Sequence, residues 1–365
     1  MRFWRFVLGI ASAVIIPALL MAYLSMFLHP AKAWLTVFFG LGYIVILLIA
    51  VVLCMAWAFV SRRMFIVMLL LLAIGYPAHR NTFGFGKTPP AATTTEPLRF
   101  VTYNVKGFDF VVDNPERDAI VEAIIASEAD IVCLQEFNTF HNKANEPDNL
   151  GEISREAGLP FYHYQKCYEN KKRSRSYGII IYSRFPIVAT GHLEYASISK
   201  MNTTIWADVQ LGSDTVRVFT SHLQSNQLTH SDFEFIGKTE QGDTLGFDSK
   251  RVAGKFRNSY IMRADQVQVI KAALDATPYP VIIAGDFNDT PVSFTYRTLK
   301  EGMEDAFLQA GRWIGPTYIP FPFIRIDYIL FSPGWATAVQ YQRKKVPGSD
   351  HYMVIADFEL DTAVP

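Results

Sequence analysis

Apolar and polar positions follow two different rhythms on either side of residue 80. Up to that point apolar residues run on almost without interruption: Phe6 to Leu28 makes 23 uncharged positions and Ala33 to Val60 makes 28. Each exceeds the roughly 20 residues needed to cross a bilayer's hydrocarbon core, so both predict transmembrane helices. The first is too long for the apolar core of a cleaved signal peptide, and the second follows after only His29 to Lys32. A third run, Met64 to Ala78, has 15 residues. As a helix it measures about 22 Å and spans only if Arg62, Arg63 and Arg80 reach outward. Because it is apolar on all sides, the expectation is a third crossing rather than a helix on the surface.

Residues 81–97, with the stretch "TPPAATTTEP", predict a linker, since its prolines disfavour both helix and sheet. From Leu98 onward the rhythm shortens. Apolar and β-branched runs predict strands at Leu98 to Val105, Ala129 to Glu136, Tyr177 to Tyr182, Thr204 to Leu211, Thr215 to His222, Pro280 to Asp286, Arg325 to Phe331 and Tyr352 to Glu359. Helices fit Pro115 to Ser127, which begins on proline, and Val252 to Ala276. In the latter, Ile261, Ala264, Val267, Ile270 and Leu274 recur at helical spacing. The alternation predicts one α/β domain over residues 98–361.

Charge sharpens this division. The whole chain is neutral, with 34 basic and 34 acidic residues, yet no Asp or Glu precedes Glu96. Arg2, Arg5, Lys32, Arg62, Arg63, Arg80 and Lys87 belong to the first part, which leaves 27 basic against 34 acidic residues beyond it. A uniformly soluble globule and a strongly basic nucleic-acid binder are both excluded, and the plentiful aromatic and aliphatic residues exclude disorder. If three segments cross with Arg2, Arg5, Arg62 and Arg63 inside, the α/β domain emerges outside the cytoplasm, which is the favoured topology; if the third does not cross, Arg80 and Lys87 join the inside count and the domain stays cytoplasmic. Three cysteines make no disulfide framework: Cys54 lies in an apolar run, and Cys133 and Cys167 are the one conceivable pair.

Polar residues interrupt the strands at their ends. Asn104 closes the first, Glu136 the second, and Asp286 and Asn288 follow "VIIAG". His222 ends "TSH", Asp327 begins "DYIL", and Asp350 and His351 precede the last strand. Such loops are where α/β folds assemble binding sites. Taken singly, each residue fits a turn, a cap or a packed histidine. Together, Glu136, Asp286 and Asp350, with amide help from Asn104 and Asn288, are hard oxygen donors suited to Mg2+ or Mn2+, and there is no Cys/His cluster for zinc. Phosphoester hydrolysis needs a cation, a positioned water and donors to the charged phosphoryl oxygens. His222 and His351 are candidate donors or proton carriers, and Asp327 is a candidate to orient a histidine.

These motifs, in this order, resemble the endonuclease/exonuclease/phosphatase superfamily of type I DNases, AP endonucleases, neutral sphingomyelinases and inositol phosphate phosphatases. The specific elements are "GDFND", "RIDYIL" and "SDHY", supported by Asn104, Glu136 and "SYGIIIYSRFPI". The leader followed by "YPVIIAGDFNDTPVSFTYRTL" is similar to a membrane-anchored bacterial branch. The resemblance implies a four-layered α/β/β/α sandwich with one metal-dependent site. It implies Glu136 as principal metal ligand with Asn104 and Asp350 beside it, Asp286 orienting or deprotonating water, and Asn288 holding phosphate. It also implies that His351, oriented by Asp327, and His222 stabilise the transition state or move protons.

For the substrate, the acidic domain disfavours a nonspecific nuclease, which grips many phosphates. The anchor, and the similarity of "SHLQS" to sphingomyelinase-like members, favour a lipid headgroup or small phosphoester. An extracytoplasmic nuclease acting on DNA or RNA is the alternative, and a noncatalytic phosphate-binding scaffold is the alternative of another class. Lys166, Lys171, Lys172, Arg173 and Arg175 read as a solvated basic loop before they read as a phosphate clamp. Residues Ser225 to Lys250 read equally as a substrate-side loop and as a surface insertion.

Overall fold

In a computed structural model of the chain, residues 2–86, 97–110, 115–140, 148–171, 174–226 and 249–361 are described. The first region is helical: α1 (Arg2–Ser25), α2 (Pro30–Ala33), α3 (Thr36–Leu41), α4 (Tyr43–Val60), α5 (Arg62–Ile74) and α6 (Tyr76–Thr82). Two helices, α1 and α4, are long and apolar enough to cross a membrane, with mean hydropathy 2.3 and 2.9. Helices α5 and α6 qualify only together, as a pair bent by 56°. At the bend, a Cβ on Gly75 would collide with the Tyr23 ring, and Pro77 sits in the first turn of α6.

The second apolar run is not one helix from Ala33 to Val60. It breaks at Gly42; the part before the break holds the last residue of α2 and all of α3, and both short helices turn onto the following domain. Hydropathy registers lipid and protein surroundings alike, so the run alone does not reveal that break. Ser25 Oγ donates to Val292 O at 2.9 Å, Thr290 Oγ1 donates to Gly40 O at 3.3 Å, and Phe27 lies under the Arg297 guanidinium. At the opposite end, Arg5 donates to Val60 O. Arg2, Arg5, Arg62 and Arg63 therefore gather at the end of the helices far from the domain.

The linker prediction starts too early. Strand β1 (Gly84–Phe85) already pairs with a short strand of the domain, at Arg312 and Trp313. Most of "TPPAATTTEP" lies outside the described residues.

The domain contains β2 (Leu98–Asn104), α7 (Pro115–Ile125), β3 (Ile131–Phe140), α8 (Asn149–Glu156), β4 (Phe161–Asn170), β5 (Arg175–Ser183), β6 (Ile187–Leu193), β7 (Thr203–Leu211) and β8 (Asp214–His222). It continues with α9 (Ser249–Asp275), β9 (Val281–Asp286), α10 (Phe294–Lys300), β10 (Glu304–Asp305), α11 (Ala306–Ala310), β11 (Arg312–Trp313), β12 (Asp327–Phe331), β13 (Ala336–Lys345) and β14 (Tyr352–Leu360). One six-stranded sheet runs β13-β14-β2-β3-β5-β4 and the other β10-β12-β9-β8-β7-β6.

Residue alternation stacks these sheets. On β5, Ile179 and Ile181 enter the core between the sheets, while Ile180 and Tyr182 face the layer containing α7 and α8. On β9, Ile282 and Ala284 face inward, and Val281 and Ile283 pack with α9 and α10. With both faces covered, the central strands are continuous apolar runs, and four layers follow. This is the expected α/β/β/α sandwich. Cys133 points into the inter-sheet core and Cys167 lies on the edge strand β4; both are free.

Candidate active site

Strand register brings the polar strand ends together. His222 on β8 stands opposite Asp286 on β9, and Asp327 on β12 stands opposite the same Asp286 from the other side. From the facing sheet, Asn104 ends β2 and Glu136 sits in β3. That strand continues past Glu136 to Phe140, beyond the predicted end, because the ladder is irregular between Leu134 and Phe137. Glu136 has φ +52°, a left-handed conformation rare for a residue with a side chain, which re-aims its carboxylate at the bulge. Asn288 is left-handed too, at φ +53°. A Cβ at Gly285, whose φ is +137°, would collide with Ser221 O, which explains the glycine in "GDFND".

The contacts form one connected network. Asn104 Nδ2 donates to Glu136 Oε1 at 3.2 Å and to Asp286 Oδ2 at 3.1 Å, joining the two sheets. Its Oδ1 accepts from Lys106 N at 3.0 Å, which sets the orientation of the amide. Asp286 is buried, and its Oδ1 accepts from Asn288 N at 2.9 Å. The Nε2 atoms of His222 and His351 both lie 3.7 Å from Asp286 Oδ2, and His222 Nε2 lies 3.6 Å from Glu136 Oε1. Asn288 does not point at this pair of histidines: its Nδ2 donates to Leu223 O at 3.1 Å.

The histidines are held differently. His222 Nδ1 faces the Met201 carbonyl at 3.2 Å; a carbonyl only accepts, so Nδ1 carries hydrogen and Nε2 is left to give or take a proton. His351 Nδ1 meets Asp327 Oδ2 at 3.0 Å. Burial works against both charges of this pair, lowering His351 and raising Asp327. For His351 the carboxylates of Asp327, Asp286 and Asp350 prevail and hold its pKa up at about 10. The ring is thus kept as an imidazolium, able to donate from Nε2.

Four carboxylates, Glu136, Asp286, Asp327 and Asp350, converge here, and His351 is the cation the geometry supplies. This excess of hard oxygen donors fits a divalent cation. Ligand atoms of Asp286, Asp327 and His351 lie within 4.8 Å of one another. Asp327, however, is already bonded to His351 and accepts from Thr317, so the carboxylates facing the open cleft are Glu136, whose side chain is 33% exposed, and Asp350. When bound, such a cation neutralises phosphate charge and acidifies water. The chain's own residues would align Asp286 to take a proton, and His351 and His222 to donate to a charged oxygen.

Several residues of the network were not foreseen. Tyr318 bridges His351 through backbone and lies 5.2 Å from it ring to ring. Burial raises its hydroxyl pKa, and Asp350, Asp286 and Glu136 raise it further, which keeps the hydroxyl protonated. Ser349 Oγ donates to Asn104 O at 2.7 Å and accepts from His351 N at 3.0 Å, tying two sequence motifs together. Arg263, fully buried in α9, bonds the Asn288 carbonyl, lies 3.6 Å from Asp289 and stacks on Tyr260. A polar residue within the apolar stripe of the predicted helix was the available signal for Arg263. The basic cluster, by contrast, is not a single surface: Arg175 is buried over the Phe140 ring, Lys166 pairs with Glu169, and Lys172 and Arg173 lie outside the described residues. Most of Ser225 to Lys250 lies outside them as well.

Residues 101–351 match the model of the Endonuclease/Exonuclease/phosphatase family. The chain belongs to this family. Its members are generally metal-dependent enzymes that hydrolyse phosphoesters. Residues 5–82 match a second model, a domain of unknown function (DUF8431). Comparison with curated proteins gives no match. Among solved structures, the chain is similar to an endonuclease/exonuclease/phosphatase from Beutenbergia cavernae, with 19% identity, TM-score 0.52, and 73% of this chain and 72% of that one covered. It is also similar to the catalytic domain of human Nocturnin with a bound sulfate anion, with 17% identity, TM-score 0.52 and coverage of 73% and 94%. A humanised TDP2 of D. rerio is similar at 18% identity, TM-score 0.50 and coverage of 73% and 100%. These likenesses support the sandwich fold.

Proposed function

We propose that this family member is a membrane-anchored phosphoesterase dependent on Mg2+, with Mn2+ as a possible substitute, that hydrolyses a lipid headgroup or small phosphoester. The observation that carries the reading is the placement of Asp286 between the Nε2 atoms of His222 and His351, with Glu136 opposite and Asn104 bonded to both carboxylates. In this reading Glu136 is the principal metal ligand, with Asp350 and Asn104 beside it. Asp286 activates water, Asn288 steers the phosphate, and the histidines stabilise the charged oxygens and the leaving group. A scaffold that only binds phosphate needs no such buried carboxylate between two proton carriers.

The lipid preference rests on position. The loop that follows Asp286 continues into Thr290 and Val292, which touch Gly40 and Ser25 at the near end of the apolar helices. The outer stripe of α4, formed by Leu48, Val52, Met55 and Phe59, is exposed and wholly apolar, as a lipid-facing surface requires. With the four arginines at the far end inside, the domain lies outside the cytoplasmic membrane, in the periplasm of a bacterial cell.

Purified full-length protein with Mg2+ should turn over phospholipid or a small phosphodiester and leave plasmid DNA largely intact. Rapid nicking of DNA without lipid turnover would replace the substrate reading with the nuclease one. If Asp286→Ala and His351→Ala left every cellular phenotype intact, the scaffold reading would prevail. Alkaline phosphatase fused after Pro97 should be active, and silence there would reverse the orientation.

A further inference from the structure

A second cavity, about 510 Å3 in volume, lies between α6 and the β10 side of the sandwich and shares no lining residue with the catalytic cleft. Its size falls in the usual range for small-molecule pockets. Its charges do not balance. Arg80 from α6 and Lys300 from the end of α10 both line it, and neither forms an ion pair among the described residues. Asp305, on the same wall, is already committed: its carboxylate pairs with Arg325 at 2.7 Å and accepts from the Tyr296 hydroxyl at 2.7 Å. Glu304 accepts from Gln309. His79 adds no free donor, because its two ring nitrogens meet the Tyr43 hydroxyl and the Leu72 carbonyl.

One positive charge is therefore left over, equal and opposite to the single charge of a phosphodiester. Burial lowers the Lys300 pKa and Arg80 lowers it further, against the pull of Asp305 and Glu304, so a bound anion would relieve a conflict already built into the wall. The rest of the lining suits an amphiphile. Tyr76, at the bend between α5 and α6, is 64% exposed, and Phe85, on β1 just past α6, is 80% exposed; in the proposed placement both lie where a bilayer's headgroup layer would be. Arg325 also reaches the Asn81 carbonyl at 2.8 Å, joining this wall of the domain to the end of α6.

We propose that this cavity binds the headgroup of an anionic phospholipid, with Arg80 and Lys300 on the phosphate and Tyr76 and Phe85 beside the glycerol and upper acyl chain. The lipid is a resident ligand that fastens the sandwich to the membrane surface, and it is distinct from the substrate. The inference rests on the membrane placement proposed above and not on the catalytic reading.

The test is native mass spectrometry of the full-length protein titrated with phosphatidylglycerol or phosphatidylcholine, set beside carbonate extraction of membranes that carry the same protein. The expected result is one tightly held phosphatidylglycerol, preferred at least tenfold over phosphatidylcholine. That preference should be lost in both Arg80→Gln and Lys300→Gln, while thermal unfolding and hydrolysis of a small phosphodiester stay unchanged. Two variants on different elements guard against local misfolding of either. Equal retention of phosphatidylglycerol by wild type and both variants would overturn the proposal. So would release of the lipid by millimolar inorganic phosphate, which would show a site for a free small anion. Protein extracted by carbonate would overturn the membrane placement and this inference with it, whereas retained protein without lipid preference would overturn the inference alone.

Discussion

In the sandwich, Ile179, Ile181, Ile282 and Ala284 turn away from solvent toward the opposite sheet. In the N-terminal helices the arrangement is reversed on one face: Leu48, Val52, Met55 and Phe59 of α4 point outward, while Leu47, Ala50, Leu53 and Trp57 pack within the bundle. The same apolar chemistry serves a water-excluded core in one region and, in the membrane placement proposed above, a lipid-facing surface in the other. The two regions pack directly on each other, since Val292 of the α/β domain belongs to the same cluster as Leu19, Leu47 and Met68. The difference teaches that the helices contribute position to the active-site loop, beyond the anchoring proposed for them.

The largest effect should come from the sandwich alone. Asp286→Asn removes the carboxylate between the two histidines and should lower kcat about 10²- to 10⁴-fold with an unchanged melting temperature, by analogy with the loss of other general bases. Next come the two kinds of apolar burial. Ile282→Ala, in the inter-sheet core, should cost about 2–5 kcal/mol of stability. Leu48→Ala, exposed on α4, should cost well under about 1 kcal/mol in detergent. Equal losses in denaturant titrations would erase the contrast between the regions.

The coupling between them is tested by two glycines. A side chain at Gly40 would collide with the Val292 carbonyl and Ser25, whereas nothing lies within 4 Å of a Cβ at Gly9. Gly40→Val should shift the loop after Asp286 and lower kcat about tenfold, while Gly9→Val should leave it alone. Identical kinetics would reduce the helices to an anchor. The smallest effect concerns pH. His351, held from its ordinary 6.5 up to about 10, stabilises the folded protein fully below pH 6.5, and that contribution fades as pH rises through about 10. In chelated protein the melting temperature should fall over that interval, and Asp327→Asn should flatten the slope by roughly 2–4 °C.

The central strands were legible in the sequence because burial on both faces makes them continuous apolar runs, and all eight predicted strands are present within a few residues. Edge strands β4, β6 and β13 were missed: their partly exposed patterns, such as that of His163 to Tyr168, resemble polar loop. The same reasoning explains the site. Glu136, Asp286, Asp327 and His351 interrupt apolar runs and stand out; Thr317 and Tyr318 lie in the proline-rich stretch "IGPTYIPFPFI", where no strand or helix pattern marks them, and only tertiary contact brings them to Asp327 and His351. The break at Gly42 was hidden because α3, which packs on the domain, is as apolar as α4, whose outer stripe is exposed.

The central claim is that carboxylates from two sheets hold a divalent cation for phosphoester hydrolysis. Its most direct test is hydrolysis of bis-p-nitrophenyl phosphate by the full-length protein, with Mg2+, after chelation and after Mg2+ is restored, in wild type and Glu136→Gln. The account predicts turnover that chelation abolishes and Mg2+ restores, together with a folded Glu136→Gln protein whose turnover falls at least about 10²-fold. Turnover that survives both chelation and the Glu136→Gln substitution would contradict it.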